Sequence, residues 1–150
     1  MMNGKKLGSL GLVLVLVPLG AAAEKSPAEV YAEYNARVVR GISFADDAAY
    51  YSTRKRAEVE AKFPQQMKQM NKSRDEVIAI YLQFSRELAK CQVLSLATQR
   101  LEAREAVAYL DYSVTDRCAK APAAAARQRQ KIKMVKEGGG WKIDSVEIAL

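Results

Sequence analysis

The order of hydrophobic patterns predicts an α+β domain in which N-terminal helices pack on a curved, four-stranded antiparallel sheet. Up to Cys91 the apolar residues recur at the spacing of amphipathic helices, and beyond it they alternate with polar residues, as strands require. Helices that precede an antiparallel meander are typical of α+β domains, because each element must bury its apolar face against another layer.

The first 23 residues are predicted to be a cleaved secretory signal. Lys5 and Lys6 form a positive start, an apolar run follows, and Ala21 and Ala23 occupy the small-residue positions of a signal-peptidase site. The apolar run is interrupted by Gly and Pro and is too short for a good membrane span. We therefore expect residues 24–150 to form one periplasmic or secreted domain that does not span a membrane.

Each predicted helix begins at a serine, a residue whose side chain accepts a hydrogen bond from the first helical turn. The four serines are Ser26, Ser43, Ser52 and Ser73. Pro27 and Glu29 complete a capping box at the first helix. Pro64 is expected to help end the third helix. The fourth helix is predicted to bury a stripe made of Val77, Ile80, Tyr81, Phe84 and Leu88.

Two hairpins follow the helices. The first turns around the sequence EARE and the second around KEGGG, whose glycines permit positive φ. In the last strand Trp141 and Ile143 share one parity, whereas Val146 and the apolar residues after it share the other. Such a phase change predicts a β-bulge near residues 144–145.

The two cysteines, Cys91 and Cys118, are expected to form a disulfide, because a secreted protein folds in an oxidising compartment. If the first hairpin turns near residue 104, the two cysteines come almost opposite each other. The best pairing of the hairpin's apolar residues leaves them one position out of register. A bulge or a splayed strand end would close that gap.

The charge and composition exclude several chemistries. The chain has 24 Lys and Arg, 17 Asp and Glu, and a formal charge of +7, which falls to +5 without Lys5 and Lys6. Such a mildly basic protein favours anionic neighbours. The absence of His excludes Ser-His-Asp and Cys-His catalysis. Two cysteines alone are too few for a zinc site, and no Gly-rich phosphate loop precedes a helix. We expect no metal and no cofactor.

Two stretches, GISFADDAAYYS between the first helices and EGGGWKIDSVEI near the end, carry a resemblance. Together with the order of elements, they resemble the nuclear transport factor-like, or cystatin-like, cone fold, and especially its small secreted bacterial members of unknown function. The resemblance spans Glu24 to Leu150. It implies a ligand cavity in the cone. The family's enzymes, such as ketosteroid isomerases and polyketide cyclases, place an Asp base with Tyr or Asp donors inside that cone.

No acidic residue is a convincing base. Asp111 lies on the strand parity opposite to the apolar face, so we expect it to be solvated and paired with Arg129 or Lys131. Asp46 and Asp47 lie at the start of a helix, where the helix dipole stabilises carboxylates. We therefore name no catalytic residue.

Aromatic residues are the better candidates for a ligand pocket. The proposed lining comprises Tyr34, Tyr50, Tyr81, Tyr112 and Trp141. Amphipathic tyrosine rings suit such a cavity when their hydroxyls point inward. The alternative is that the tyrosines are core residues with hydroxyls at the surface, and that Trp141 anchors the core.

A row of cations occupies alternate positions of the third predicted strand. Arg127, Arg129, Lys131 and Lys133 share one face, and the apolar neighbours of that strand share the other. This row is either the solvated outer side of the sheet or a binding surface. The charged helix TRKRAEVEAK mixes acids with bases and lacks interleaved aromatics, so we expect no nucleic-acid partner.

These features predict a non-catalytic secreted binding domain. It would hold a small apolar ligand in the cone or an envelope protein on the sheet, and a homodimer is one further option. The alternatives are an isomerase- or cyclase-like enzyme with a cone-facing carboxylate or tyrosine, and a periplasmic inhibitor or immunity protein.

Overall fold

The computed structural model describes residues 22–120 and 128–149. Four helices precede four strands: α1 (Pro27–Arg40), α2 (Phe44–Ala49), α3 (Thr53–Met70), α4 (Arg74–Cys91), β1 (Gln92–Glu102), β2 (Val107–Asp116), β3 (Gln128–Glu137) and β4 (Gly140–Ala149). The predicted signal peptide lies outside the described residues except for its last two positions. Within the described ranges, no helix is both long enough and apolar enough to cross a membrane.

The strands form one antiparallel sheet in the order β1-β2-β3-β4, which confirms the predicted α+β class. The predicted bulge in β4 is confirmed. Lys133 pairs with Ser145 and Met134 pairs with Ile143, so Asp144 is the extra residue. A second bulge interrupts β1 between Leu96 and Thr98.

One face of the sheet is buried under the helices. Its buried residues are Ala108, Leu110, Tyr112, Val114, Ile132, Met134, Trp141 and Ile143. Helix α1 packs on β2 and β4, and α3 packs on β4. The strand parity read from the sequence is therefore confirmed, and burial of this apolar face is the main driving force for the two-layer packing.

The short segment between α2 and α3 extends the sheet beyond β4. Tyr51 forms a parallel bridge with Ile143, and the Ser52 backbone N–H donates to the Ile143 carbonyl at 2.9 Å. The Ser52 hydroxyl donates to Asp144 Oδ1 at 2.7 Å, and Arg54 Nε donates to the same oxygen at 2.9 Å. Burial alone would raise the pKa of Asp144, but the hydrogen bonds outweigh burial and lower it. The bulge residue thus anchors the start of α3 to the sheet.

All four predicted serine caps are confirmed, with full capping boxes at α1 and α4. The expected end of α3 at Pro64 is wrong, because the helix continues to Met70. Pro64 and Glu60, whose carbonyl loses its helical donor, are both exposed, so water can satisfy that carbonyl. Phe63 is buried and packs edge-on against Phe44 with ring centroids 5.6 Å apart, which holds the helix across the proline.

The predicted buried stripe of α4 is largely wrong. Val77 is buried and Tyr81 is half-buried, but Ile80, Phe84 and Leu88 are exposed, Phe84 by 68%. Helix α4 packs against α1 and α3 and meets the sheet mainly at β1, which directly follows it. Only Val77 and Tyr81, of the five predicted stripe residues, are therefore covered by neighbouring elements.

The predicted disulfide is confirmed, with Cys91 and Cys118 Cα atoms 5.2 Å apart. In the hairpin, Gln92 pairs with Asp116, which leaves the cysteines one position out of register as expected. The Arg117 backbone N–H donates to the Cys91 carbonyl at 2.8 Å, and the chain then turns so that Cys118 reaches its partner. The splayed strand end closes the gap.

Candidate functional site

A buried carboxylate lies at the centre of the helical layer. Asp47 on α2 is only 2% exposed. Three tyrosine hydroxyls donate to it: Tyr34 to Oδ1 at 2.9 Å, Tyr51 to Oδ1 at 3.4 Å and Tyr81 to Oδ2 at 3.0 Å. We call these four residues the Asp47 cluster. It brings together side chains from α1, α2, the segment after α2, and α4.

The hydroxyls of the Asp47 cluster also contact one another. Tyr51 lies 2.9 Å from the Tyr34 hydroxyl and 2.8 Å from the Tyr81 hydroxyl. Burial raises the pKa of Asp47, although the three hydroxyls oppose that shift by donating to the charged form. Burial also raises the pKa of each tyrosine, so the hydroxyls remain protonated donors. The tyrosine protons are therefore engaged within the cluster, and its tyrosines are poor bases.

The sequence alone missed Asp47. The helix-start role that the sequence predicts for both Asp46 and Asp47 describes Asp46, which is exposed and lies 3.6 Å from Arg37. Asp47 instead points inward because the short helix presents successive residues to different sides. The spacing of four residues between Asp47 and Tyr51 is the one local signal that points to their contact.

The Asp47 cluster borders a small cleft of about 260 Å³. All three tyrosines line it, together with Phe63 on α3 and Val146 on β4, but Asp47 does not. A molecule in this cleft would therefore meet the tyrosine rings and hydroxyls rather than the carboxylate.

A larger cleft of about 450 Å³ lies between α1 and the β1–β2 side of the sheet. We call it the α1–sheet cleft; its lining comprises Tyr31, Ala32, Asn35, Ala36, Val39, Arg40, Ala89, Gln92, Leu94 and Tyr112. The rings of Tyr31 and Tyr112 lie 5.4 Å apart. Apolar and aromatic side chains thus make most of the surface, as in typical small-molecule sites.

The polar groups of the α1–sheet cleft differ in how far the protein satisfies them. The Tyr31 hydroxyl donates to Gln130 at 3.4 Å, and the Asn35 amide donates to the Tyr31 carbonyl at 3.1 Å. Tyr112 is 6% exposed as a whole, and its hydroxyl oxygen, which hydrogen-bonds no described residue, is accessible to solvent at the cleft. Burial raises the pKa of Tyr112, so that hydroxyl remains a donor.

The cleft is also electrostatically one-sided. Arg40 is exposed and makes no ion pair within residues 22–120 and 128–149. No Asp or Glu is among the lining residues of the α1–sheet cleft. Arg40 is therefore the one charged side chain among the lining residues of a mostly apolar cleft.

The other predicted pocket residues lie elsewhere. Tyr50 and Trp141 line a third cleft of about 420 Å³, at the end of the sheet near the β3–β4 turn. There the Tyr50 hydroxyl donates to Glu33 at 2.9 Å, and Lys136 lies 5.2 Å from the ring centre of Trp141, which is 6% exposed. The five predicted residues are thus distributed over three clefts, with Tyr34 and Tyr81 at the Asp47 cluster and Tyr112 in the α1–sheet cleft.

The cation row lies on the outer face of the sheet. Arg129 and Lys131 are exposed and Lys133 is half-buried, whereas Arg127 lies outside the described residues. The predicted pairing of Asp111 is confirmed, because Arg129 lies 3.9 Å from its Oδ1. The expectation that Asp111 is solvated is wrong, because its side chain is half-buried and Oδ1 is buried without a hydrogen-bond partner among the described residues.

Comparisons with known proteins add little to this description. No family model matches the chain, and no curated protein matches it. One similar solved structure is a designed protein titled Rd1NTF2_05, carrying five substitutions, with 12% identity and a TM-score of 0.35. The match covers 46% of this chain and 59% of the designed protein. At that TM-score the likeness carries no argument, so the fold rests on the helices and strands described above.

Proposed function

We propose that this protein is a non-catalytic binding domain of the cone type that holds a small apolar ligand in the α1–sheet cleft. The observation that carries the proposal is a pocket of about 450 Å³ with apolar walls and two tyrosine rings. Its volume falls within the range of about 300–1,000 Å³ that is usual for ligand sites.

The proposal is tested by filling the cleft. Ala36 lies on the exposed part of α1 and lines the cleft, so Ala36→Phe adds a ring there without disturbing the buried face of the helix. The neutral fluorescent probe N-phenyl-1-naphthylamine should bind the wild type, and Ala36→Phe should weaken its binding at least tenfold. Ala61→Phe, at an exposed α3 position outside the clefts, is the matched control. Equal probe binding by wild type and Ala36→Phe would contradict the proposal.

An enzyme is the second candidate, because Asp47 is a buried acid whose pKa is raised by burial. In this alternative Tyr81, which lines the 260 Å³ cleft, would contact the substrate, and Asp47 would position its hydroxyl. A ketosteroid isomerisation assay tests it. Turnover by the wild type that disappears in Asp47→Asn would favour the enzyme, whereas a binding domain shows no turnover in either.

The proposed location is the periplasm or the exterior, after removal of residues 1–23. The Cys91–Cys118 disulfide supports an oxidising compartment. Native mass spectrometry of the protein purified from its own cell envelope measures the N-terminus, the disulfide, the oligomeric state and any retained ligand together. A partner or second copy bound through the outer face of the sheet would be lost after charge reversal at Arg129 and Lys131.

A further inference from the structure

We propose that two copies of this chain associate through the free edge of β1, so that an antiparallel pair of β1 strands joins their sheets into one. The occupant of this edge is therefore a second copy of the chain, related to the first by a two-fold axis between the paired strands. This interface goes beyond ligand binding in the α1–sheet cleft and does not depend on it.

The first observation is that β1 has one bare side. In the order β1-β2-β3-β4, the 11 residues Gln92–Glu102 pair with β2 and with no other described strand. The opposite edge of the sheet is covered, because Tyr51 bridges to Ile143 and the Ser52 backbone N–H donates to the Ile143 carbonyl. The unpaired backbone groups of an edge strand are a template for another strand, and β1 is about twice the usual strand length.

The second observation is that half of this edge lacks the usual protection. Edge strands in natural proteins are commonly guarded by charged residues, prolines or bulges. The charges of β1, Arg100 and Glu102, both lie beyond its bulge. The half before them, Gln92–Thr98, contains no charge and no proline. Within it, Val93 and Leu96 are each 45% exposed. This uncharged half is the part of the edge that is open to pairing.

The uncharged half is also complementary to itself. Its central residue is Ser95, and a two-fold axis at Ser95 places Leu94 of one copy opposite Leu96 of the other, twice. Both leucines lie on the inner face of the sheet, because their partners on β2 are buried. Apolar side chains therefore pack across the join, and no like charges face each other within this segment.

Helix α1 lies along this half of β1 with its middle near the same axis. Near the start of the helix, the Ala28 backbone N–H donates to Gln99 Oε1 at 3.2 Å. Near its end, Arg40 lines the α1–sheet cleft together with Gln92. The helix therefore runs in the direction opposite to β1, and its midpoint lies beside Ser95.

The exposed flank of α1 has opposite charges at its two ends. This flank comprises Glu29, Ala32, Ala36 and Arg40, all exposed. Their spacing of three or four residues places them on one side of the helix. Because the axis at Ser95 reverses the direction of α1, the acid of one copy is directed toward the cation of the other, twice. Such charge complementarity favours a second copy in this orientation over other partners.

The joined surface reaches the size of a weak specific interface. Seven strand residues span about 23 Å, and a sheet layer with a helix layer is about 20 Å high. The two layers thus offer roughly 460 Å² on each copy, or roughly 900 Å² in total. Specific interfaces begin near about 1,000 Å², and side chains that interdigitate add to this flat area. We therefore expect a reversible dimer.

Sedimentation velocity over a range of protein concentrations tests the interface. The wild type should change from monomer to dimer as its concentration rises. Ser95→Lys places two ammonium groups on the axis with their Cβ atoms about 5 Å apart, and should weaken the dimer at least about tenfold. Ser95→Glu should do the same with two carboxylates. Ser95 is exposed, so circular dichroism should show both variants folded as the wild type is.

An equimolar mixture of Ser95→Lys and Ser95→Glu identifies the axis, because a residue on the axis meets its own copy. The mixture should dimerise at least as tightly as the wild type, since each lysine then faces a glutamate. Thr115→Lys is the matched control, because Thr115 is exposed on the same face of the sheet but on β2. This variant should dimerise as the wild type does.

Three results would overturn the proposal. The first is a wild type that stays monomeric at every concentration, and the second is a dimer that Ser95→Lys leaves intact. The third is a dimer that both Ser95 variants lose and their mixture does not restore. If charge reversal at Arg129 and Lys131 abolishes the dimer while Ser95→Lys keeps it, the interface is the outer face of the sheet and not its edge. Probe binding in the α1–sheet cleft is measured separately, so each of these results leaves the proposed function standing.

Discussion

Removing the disulfide should destabilise this domain by an amount that depends on the number of residues between the two cysteines. The bridge joins the end of α4 to the end of β2 across 27 residues. The loop-entropy relation for that separation gives the denatured chain about 12 cal/mol/K more entropy when the bridge is removed. The double variant Cys91→Ser and Cys118→Ser should therefore lose about 3.5 kcal/mol of unfolding free energy at 25 °C. Loss of packing adds little, because Cys118 is exposed.

This free energy converts into a large shift of the midpoint of thermal unfolding. A folded domain of about 120 residues unfolds with an entropy of about 0.25 kcal/mol/K, so the Tm should fall by about 14 °C. Circular dichroism during heating measures the change. Wild-type protein in a phosphine reductant is the matched control, because it lacks the bridge but keeps both side chains, and its Tm should agree with that of the double variant.

A decrease of less than about 4 °C would refute this reasoning. It would mean that the denatured chain already keeps the two ends together, so that the covalent bond removes little of its freedom. The β1–β2 hairpin is the element in which such residual structure would reside, since its register runs continuously up to the bridge except at one bulge.

Four further substitutions test other parts of the structure. Phe84→Ala should lower the free energy of unfolding by less than about 1 kcal/mol, because Phe84 is 68% exposed, and Val77→Ala should lower it by at least about 1.5 kcal/mol, because Val77 is 3% exposed. Equal losses measured by urea unfolding would contradict this prediction. Because burial raises the pKa of Asp47, the folded state binds its proton more tightly than the unfolded state does, and the stability that this provides is lost as the pH rises through the folded pKa. Wild-type stability should therefore fall relative to Asp47→Asn from acidic toward neutral pH, and a pH-independent difference between the two would count against a raised pKa. Arg104→Gly should raise the free energy of unfolding by about 0.5–1 kcal/mol and so raise the urea midpoint, because Arg104 has a φ of 57°, which glycine adopts more readily. A lower urea midpoint in the variant would contradict this expectation.

The features predicted well from the sequence depend on residues close together in the chain. A serine cap involves positions within one helical turn, so Ser26 and Ser73 could be identified with their glutamate partners. Strand parity has a period of two residues, which identified the buried face of β2 and the bulge at Asp144. The disulfide was predicted from two cysteines in an oxidising compartment, and the hairpin register brings them within one position of each other.

The features predicted poorly depend on which elements meet. The spacing of Ile80, Phe84 and Leu88 correctly places them on one side of a helix, but burial of that side requires a neighbour, and no described element covers these three side chains. Pro64 weakens a helix locally, and packing of Phe63 outweighs that weakness. The first error arises because a periodic pattern does not show which elements meet, and the second because local propensity is a smaller free energy than burial against another element.

The amino-acid sequence by itself determined the helix starts, the strand faces, the cysteine pairing and the order of the layers, because each follows from backbone periodicity over a few residues. Only the tertiary structure decided which tyrosines gather around Asp47 and which two line the α1–sheet cleft. Tyr34 and Tyr81 are 47 positions apart yet donate to the same carboxylate. Convergence of that kind depends on the packing of whole helices, and a periodic pattern carries no information about the distance between two elements.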